Sequence, residues 1–223
     1  MTMPWEQKVG RETEKVVIEF CGINTNDSEY NKKLYLLDFG CGSGRYLEIF
    51  AKYLDKEKLW GVEIAKEKVI EVKKRGFNCV LIDKNMGVLP FKNDSFDIVF
   101  SSNVIEHIPR ELYFEYLDEI YRILKVGGRF VVGTPNYPAK RFYDIIKAFR
   151  NPRMFRYYLF DDPTHCNKMS INQLESDLKK YFSEVYLYPS YIFLEGKLKF
   201  LKNPELRNKL RIIGDKISGY CVK

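Results

Sequence analysis

Residues Leu36 to Gly44 read LLDFGCGSG, an apolar run that ends in an aspartate and turns at once into three glycines at alternate positions. Glycine loses more backbone freedom on folding than any other residue, so such a cluster needs a physical cause. Two causes fit. Gly40, Gly42 and Gly44 form either a tight strand-to-helix turn or a loop whose backbone must come very close to a ligand.

Outward from this stretch, short apolar or β-branched runs alternate with helical patterns. Strands are expected at 34–39, 58–63, 79–83, 96–101, 128–134, 184–189 and 217–222. Helices are expected at 5–20, 44–55, 66–75, 111–124, 139–150, 171–182 and 204–212. Ser170 followed by Gln173 has the spacing of a capping box, and Asn203-Pro204 suits a helix start. Apolar strands alternating with helices predict an α/β fold, a doubly wound and mostly parallel sheet with helices on both faces. Ligands bind such sheets beyond the carboxyl ends of the strands, at the topological switch point. The glycine stretch follows the first strand, which puts it at that edge.

The 223 residues are expected to form a single domain over 1–223, with an N-terminal helix and linker at 1–32. A basic, aromatic insertion or lid is expected at 137–169 and a second basic insertion at 191–215. A hydrophobic share of 45% with 30% charged residues is that of an ordinary soluble protein. No apolar run approaches the roughly 18 residues that span a bilayer, and the first twenty residues carry charges throughout. Cys21, Cys41, Cys79, Cys166 and Cys221 are odd in number and form no CxxC pair, against a disulfide framework or a zinc site. A cytoplasmic location is therefore expected. The net charge of +7 is local: residues 137–160 carry +5, residues 197–223 carry +6, and the remainder −4. Such placement bears on a partner.

Three carboxylates stand near the ends of the first three expected strands. Asp38 directly precedes the glycine turn, where it can meet a cationic group of a ligand. Glu63 lies 19 residues past Gly44, the spacing of an acid that accepts hydrogen bonds from ribose hydroxyls. Asp83 can meet the exocyclic amine of adenine. A dinucleotide fits less well, because Arg45 stands where the G-x-G-x-x-G/A fingerprint needs a small residue, and Asp38 would repel a pyrophosphate. The residues describe a site for an adenosine that carries positive charge.

At this point "LLDFGCGSGRY", "WGVEI", "LID", "LPFKNDSFDIVFSSNVIEHI" and "YRILKVGGRFVVGTPN", in order and at proper spacing, resemble the successive motifs of class I S-adenosylmethionine-dependent methyltransferases. The nearest likeness is to the branch that includes ubiquinone- and menaquinone-biosynthesis enzymes. It covers about 33–136 and again 161–190, where "DPTHCNKMSINQLESDLKKYFSEV" is similar to that branch's His-then-helix segment. The resemblance implies strand order 3-2-1-4-5-7-6 with strand 7 antiparallel, and a Rossmann-like methyltransferase fold. It implies S-adenosylmethionine as cofactor and S-adenosylhomocysteine as product. Asp38, Gly40, Cys41, Gly42 and Gly44 would hold the methionine end, and Glu63 the ribose. Ile64 would flank the adenine, Asp83 and Lys84 would border its edge, and Ser102 and Asn103 would lie along the methionine moiety.

Methyl transfer from a sulfonium is an in-line displacement that needs no metal, and no group of residues has metal-ligand spacing along the sequence. A general base is needed only where the acceptor carries a proton of high pKa. The two histidines, His165 first and His107 second, are the candidates, and Tyr137, Arg141 and His165 are the candidate acceptor contacts. The first basic insertion holds eight aromatics among its six basic residues, with Ile145, Ile146 and Phe149 on one helix face and Lys140, Lys147 and Arg150 on the other. A small, anionic or lipid-like acceptor is expected first. RNA, read by basic and stacking residues, is the alternative, and an anionic membrane surface is compatible with either. A binding protein that senses S-adenosylmethionine without turnover stands as the non-enzyme reading.

Overall fold

A computed structural model describes residues 11–150, 153, 155–190 and 214–223. The expected helix at 204–212, most of the insertion at 191–215 and the start of the helix at 5–20 lie outside the described residues. The chain runs α1 (Arg11–Phe20), α2 (Ser28–Asn31), β1 (Leu36–Phe39), α3 (Arg45–Phe50), β2 (Leu59–Glu63), α4 (Lys66–Lys74), β3 (Asn78–Leu81) and β4 (Phe96–Ser102). It continues with α5 (Arg110–Ile123), β5 (Leu124–Pro135), α6 (Ala139–Arg150), α7 (Phe155–Leu159), α8 (Ile171–Leu178), β6 (Glu184–Ser190) and β7 (Lys216–Val222). Short 3₁₀ turns occupy Lys56–Lys58 and Ile105–His107.

The seven strands form one sheet in the order β3-β2-β1-β4-β5-β7-β6. Strands β1 to β5 pair parallel, and β7 runs antiparallel to both β5 and β6. This is the expected order. Alternation along the strands feeds two cores. Leu37, Phe39, Val99, Phe130 and Val132 pack with α5 and α8 on one face. Leu36, Ile98, Phe100 and Val131 pack with α1, α3 and α4 on the other. All four residues of β1 are buried, as a central parallel strand covered on both faces must be.

Helix α5 buries Tyr113, Tyr116, Leu117, Ile120 and Ile123, the spacing of one helical face. Full burial of an apolar side chain is worth about 1.5–3 kcal/mol, so this face fixes the helix on the sheet. The capping box at α8 is present as read: the Ser170 hydroxyl accepts from Gln173 N, and the Gln173 side chain accepts from Ser170 N.

The structure corrects several boundaries. Helices α3 and α8 stop at Phe50 and Leu178, short of the expected ends, and β5 begins at Leu124, four residues early. Strand β3 ends at Leu81, so Asp83 sits in the loop beyond it. Helix α6 does not divide into an apolar buried face and a basic exposed one. Its buried side is Ala139, Tyr143, Asp144 and Ala148, whereas Phe142, Ile145 and Phe149 face outward. Lys140 and Lys147 turn inward, where they pair with Asp144 of the same helix and with Asp161 and Asp215 beyond it. Among the described residues no helix is long and apolar enough to cross a membrane.

Candidate functional site

The switch point of the sheet lies between β1 and β4, where the chain order reverses, and the glycine loop leaves β1 there. Gly40, Gly42 and Gly44 all have positive φ, of 78°, 54° and 81°. Two of them differ in what surrounds them. A Cβ on Gly40 would meet Val104 Cγ2 at 2.5 Å, so this glycine is dictated by packing against the loop after β4. A Cβ on Gly42 would meet nothing within 4 Å. Its backbone borders open space, which is what close approach of a ligand requires.

The loop is held from below. Gly40 N and Cys41 N donate to Val62 O at 3.0 and 3.1 Å, and Arg75 donates to Ser43 O. Glu63 closes the loop onto β2: Oε2 accepts from Gly42 N at 2.9 Å, and Oε1 accepts from Ile64 N and Ala65 N at 2.8 and 3.1 Å. The Cys41 side chain points into the core, with Sγ 3.7 Å from Cys79 Sγ, so only its backbone lines the loop.

Asp38 is the most unusual group of the set. It is buried, and its Oδ2 has no hydrogen-bond partner. Burial first, and then the nearby Cys79 and Glu63, push its carboxyl up to about 8. A buried carboxyl oxygen left without a partner is costly, and a cationic donor would satisfy it.

Beyond β2 and β3 a cleft of about 560 Å³ is lined by Ile64, Leu81, Ile82, Asp83 and Lys84. Ile64 is 54% exposed and Leu81 48%, an open apolar lip between two strand ends. Asp83 Oδ1 accepts from Asn85 N at 2.9 Å, and its carbonyl accepts from Tyr116 Oη at 3.2 Å. Lys84 is exposed on the same rim. A second cleft, of about 330 Å³, lies at the amino ends of the strands around Gly22, Asp97 and Gly127, away from the loop.

After β4, Ser102 is half-buried and Asn103 exposed with φ 55°, its N–H donating to Gly133 O at 2.7 Å. The chain then turns through Ile105–His107 and brings the two histidines together. Their ring centroids are 4.7 Å apart in an edge contact. His107 Nδ1 lies 2.9 Å from Thr164 Oγ1, and His165 Nδ1 lies 2.6 Å from Tyr137 Oη. Burial, and then the electrostatic influence of the neighbouring His107, lower the pKa of His165. Burial raises that of Glu106, whose Oε2 accepts from Thr134 Oγ1 at 3.0 Å.

Tyr137 is buried and also donates to Asp161 Oδ1 at 3.2 Å. Burial acts to raise the Asp161 pKa, but the hydrogen bonds from Lys168 and Lys140 outweigh it and hold the carboxyl below its usual range. Arg141 does not join this group. Its guanidinium donates to Tyr158 O at 3.3 Å and Leu159 O at 2.8 Å, so it ties α6 to α7. The fold thus divides the singled-out residues into a cradle (Asp38, Gly40–Gly44, Glu63, Ile64, Asp83, Lys84, Ser102, Asn103) and a histidine cluster with Tyr137. Glu106, Thr134, Asp161 and Thr164 belong to the second group and were not singled out in the sequence. The Thr134 and Glu106 pairing is 28 residues apart in the chain and leaves no local pattern.

Residues 37–132 match the family described as a methyltransferase domain. An uncharacterised protein of Methanocaldococcus jannaschii is 29% identical over 79% of this chain and 69% of its own length. The demethylmenaquinone methyltransferase of Lactococcus lactis is 32% identical over 49% of this chain, and the human arsenite methyltransferase 31% over 52%. The match spans 45% and 34% of those two proteins. Among solved structures, a SAM-dependent methyltransferase from Archaeoglobus fulgidus shares the fold with a TM-score of 0.64 over 96% of this chain and 95% of its own, at 21% identity. Domain match, sheet order and glycine loop agree: residues 37–132 match a methyltransferase domain, and the seven-stranded sheet has the fold of a solved SAM-dependent methyltransferase.

Proposed function

We propose that the cradle binds S-adenosylmethionine and that the histidine cluster receives a small acceptor, either anionic or lipid-like. The observation that carries the first half is the orphaned, buried Oδ2 of Asp38 beside the open backbone of Gly42. Asp38 and the Gly40–Gly44 loop, with the Cys41 backbone, take the ammonium and carboxylate end of the cofactor. Glu63 takes the ribose while it anchors the loop. Ile64 covers one face of the adenine, Asp83 and Lys84 border its edge, and Ser102 and Asn103 line the methionine chain. The bound cofactor supplies an electrophilic methyl group, and the protein's part is to orient it and keep water away.

His165, with His107 beside it, meets the reacting group of the acceptor, and Tyr137 fixes the orientation of the His165 ring. A free imidazole there would take the acceptor's proton; its lowered pKa keeps it neutral and able to do so at neutral pH. The lipid-like acceptor gains support from the outward Phe142, Phe149 and Phe160, which are 64%, 72% and 64% exposed. The anionic acceptor loses support, because Lys140, Arg141 and Lys147 are all engaged within the fold.

Calorimetric titration with S-adenosylmethionine and S-adenosylhomocysteine tests the cradle. Micromolar binding of both is expected, falling by about 10- to 100-fold in Glu63→Ala, which loses both the ribose contact and the tie to Gly42. A folded protein that binds neither ligand would refute the reading.

A further inference from the structure

Glu106, His107 and His165 each offer one ligand atom, and these atoms all lie within 4.8 Å of one another. The sequence hides this group, since His165 is 58 residues from His107. The fold clamps the two segments together: Asn167 N donates to Glu106 O at 3.0 Å, and Asn167 Nδ2 donates to Ile105 O at 3.3 Å. Each of the three side chains is also held by a neighbour. Thr164 occupies His107 Nδ1, Tyr137 occupies His165 Nδ1, and Thr134 occupies Glu106 Oε2. This leaves Nε2 of each imidazole for a further partner, beside the Glu106 carboxyl. Fixing one nitrogen of a histidine so that the other can ligate is the usual arrangement around a protein-bound metal. A fourth oxygen is close by, with Asp162 Oδ2 3.9 Å from His165 Nε2.

We propose that Glu106, His107 and His165 bind one divalent transition-metal cation. Two imidazoles and a carboxylate suit Zn²⁺, Co²⁺, Fe²⁺ or Mn²⁺ better than Mg²⁺ or Ca²⁺, which prefer all-oxygen sites. Three protein ligands leave a coordination position open. The cluster follows Val104, which packs on Gly40 of the cofactor loop, so it stands beside the cradle. The role in methyl transfer rests on the methyltransferase reading above; cation binding does not. An acceptor hydroxyl bound there would release its proton to solvent, and its oxygen lone pair would form the new bond to the methyl carbon. The S–CH₃ bond breaks with its electron pair going to sulfur, which neutralises the sulfonium. In that state the histidines are ligands and the base is dispensable. The acceptor class is then an oxygen nucleophile, a phenol, enol or alcohol.

The test uses the full chain stripped with a chelator and titrated with Co²⁺ alone, followed by visible d–d absorption, then with Zn²⁺ as competitor. One saturating equivalent is expected, displaced by Zn²⁺. His107→Ala and His165→Ala, checked by circular dichroism, should each weaken Co²⁺ by about 100-fold or more, and Tyr137→Phe by about tenfold. Glu106 is buried, so Glu106→Gln is informative only beside the two histidine variants. Absence of saturable binding in folded protein overturns the proposal, as does affinity unchanged in both histidine variants. So does a thiolate-to-cobalt band abolished by Cys166→Ser, which would place the ion on the exposed cysteine. Failure to bind S-adenosylhomocysteine with Co²⁺ binding intact would refute the cradle and leave this site standing.

Discussion

The cradle and the wall that faces it are built on opposite plans. The cradle draws on the carboxyl ends of β1, β2 and β4 and is made mostly of backbone: glycine N–H groups, strand-end carboxyls and a close packing contact from Val104. The wall is made of side chains from the Ile105–His107 turn and from 137–169, cross-linked by Tyr137, Asp161, Lys140, Lys168 and the two histidines. A backbone site tolerates few substitutions because each residue is fixed by geometry. A side-chain network can change members while the scaffold stays. This is the arrangement expected where one cofactor serves different acceptors, and proteins similar to part of this chain carry names as different as demethylmenaquinone and arsenite methyltransferase.

The sharpest way to break that comparison is at Gly40. Gly40→Ala places a methyl group 2.5 Å from Val104 at φ 78°, and should lower stability by about 2–5 kcal/mol, read as a fall in Tm. Gly42→Ala, with open space around it, should lose only about 1–2 kcal/mol and still lose cofactor affinity. Equal stability losses at the two positions would mean that the loop is only a turn.

Next in size is Asp38→Asn, expected to weaken S-adenosylmethionine by about 10- to 100-fold at pH 8, measured by calorimetry. The wild-type carboxyl, raised from 3.8 to about 8, holds a proton in the ligand-free fold. Binding an ammonium releases that proton, so affinity should climb as pH rises toward 8; the Asn variant should lack that rise. The folded value lies above the unfolded one, so Asp38 withdraws stability progressively between about pH 4 and 8. Asp38→Asn should therefore melt higher than wild type at pH 8 and equally at pH 3.

On the wall, Asp161→Asn removes the shared partner of Tyr137, Lys140 and Lys168. A loss of about 1–3 kcal/mol is expected, with faster proteolysis within 155–169 and unchanged affinity for S-adenosylhomocysteine. If cofactor affinity fell in step, the two regions would not be independent. The smallest effect is expected from Arg141→Ala, which loses two hydrogen bonds to α7 carbonyls: about 1 kcal/mol, or roughly 2–4 °C in Tm.

How much of this was legible differs in the same way between the regions. The loop was readable because its reasons are local: Gly40 to Gly44 follow an apolar strand and precede a helix, and Glu63 ends the next strand at a fixed interval. Even so, the sequence does not separate Gly40, dictated by Val104 64 residues later, from Gly42, left open. The wall was only half readable. Tyr137 and His165 do meet, but Arg141 is spent on α7, and periodicity alone did not say that Phe142 and Phe149 of α6 face outward while Lys140 and Lys147 turn in to Asp144.

The sequence by itself determined the α/β alternation, the position of the glycine loop and the likeness of residues 37–132 to a methyltransferase domain, since each depends on residue order within a strand, a turn and a helix. Only the tertiary structure decided that Asp38 is buried with an unpartnered oxygen, and that Glu106, His107 and His165 share one small volume. The physical reason is range. Periodicity and turn chemistry act over a few residues and leave a mark in the order of the chain. Burial and the meeting of side chains from distant strand ends depend on how the sheet closes, and on which charges pair when it does.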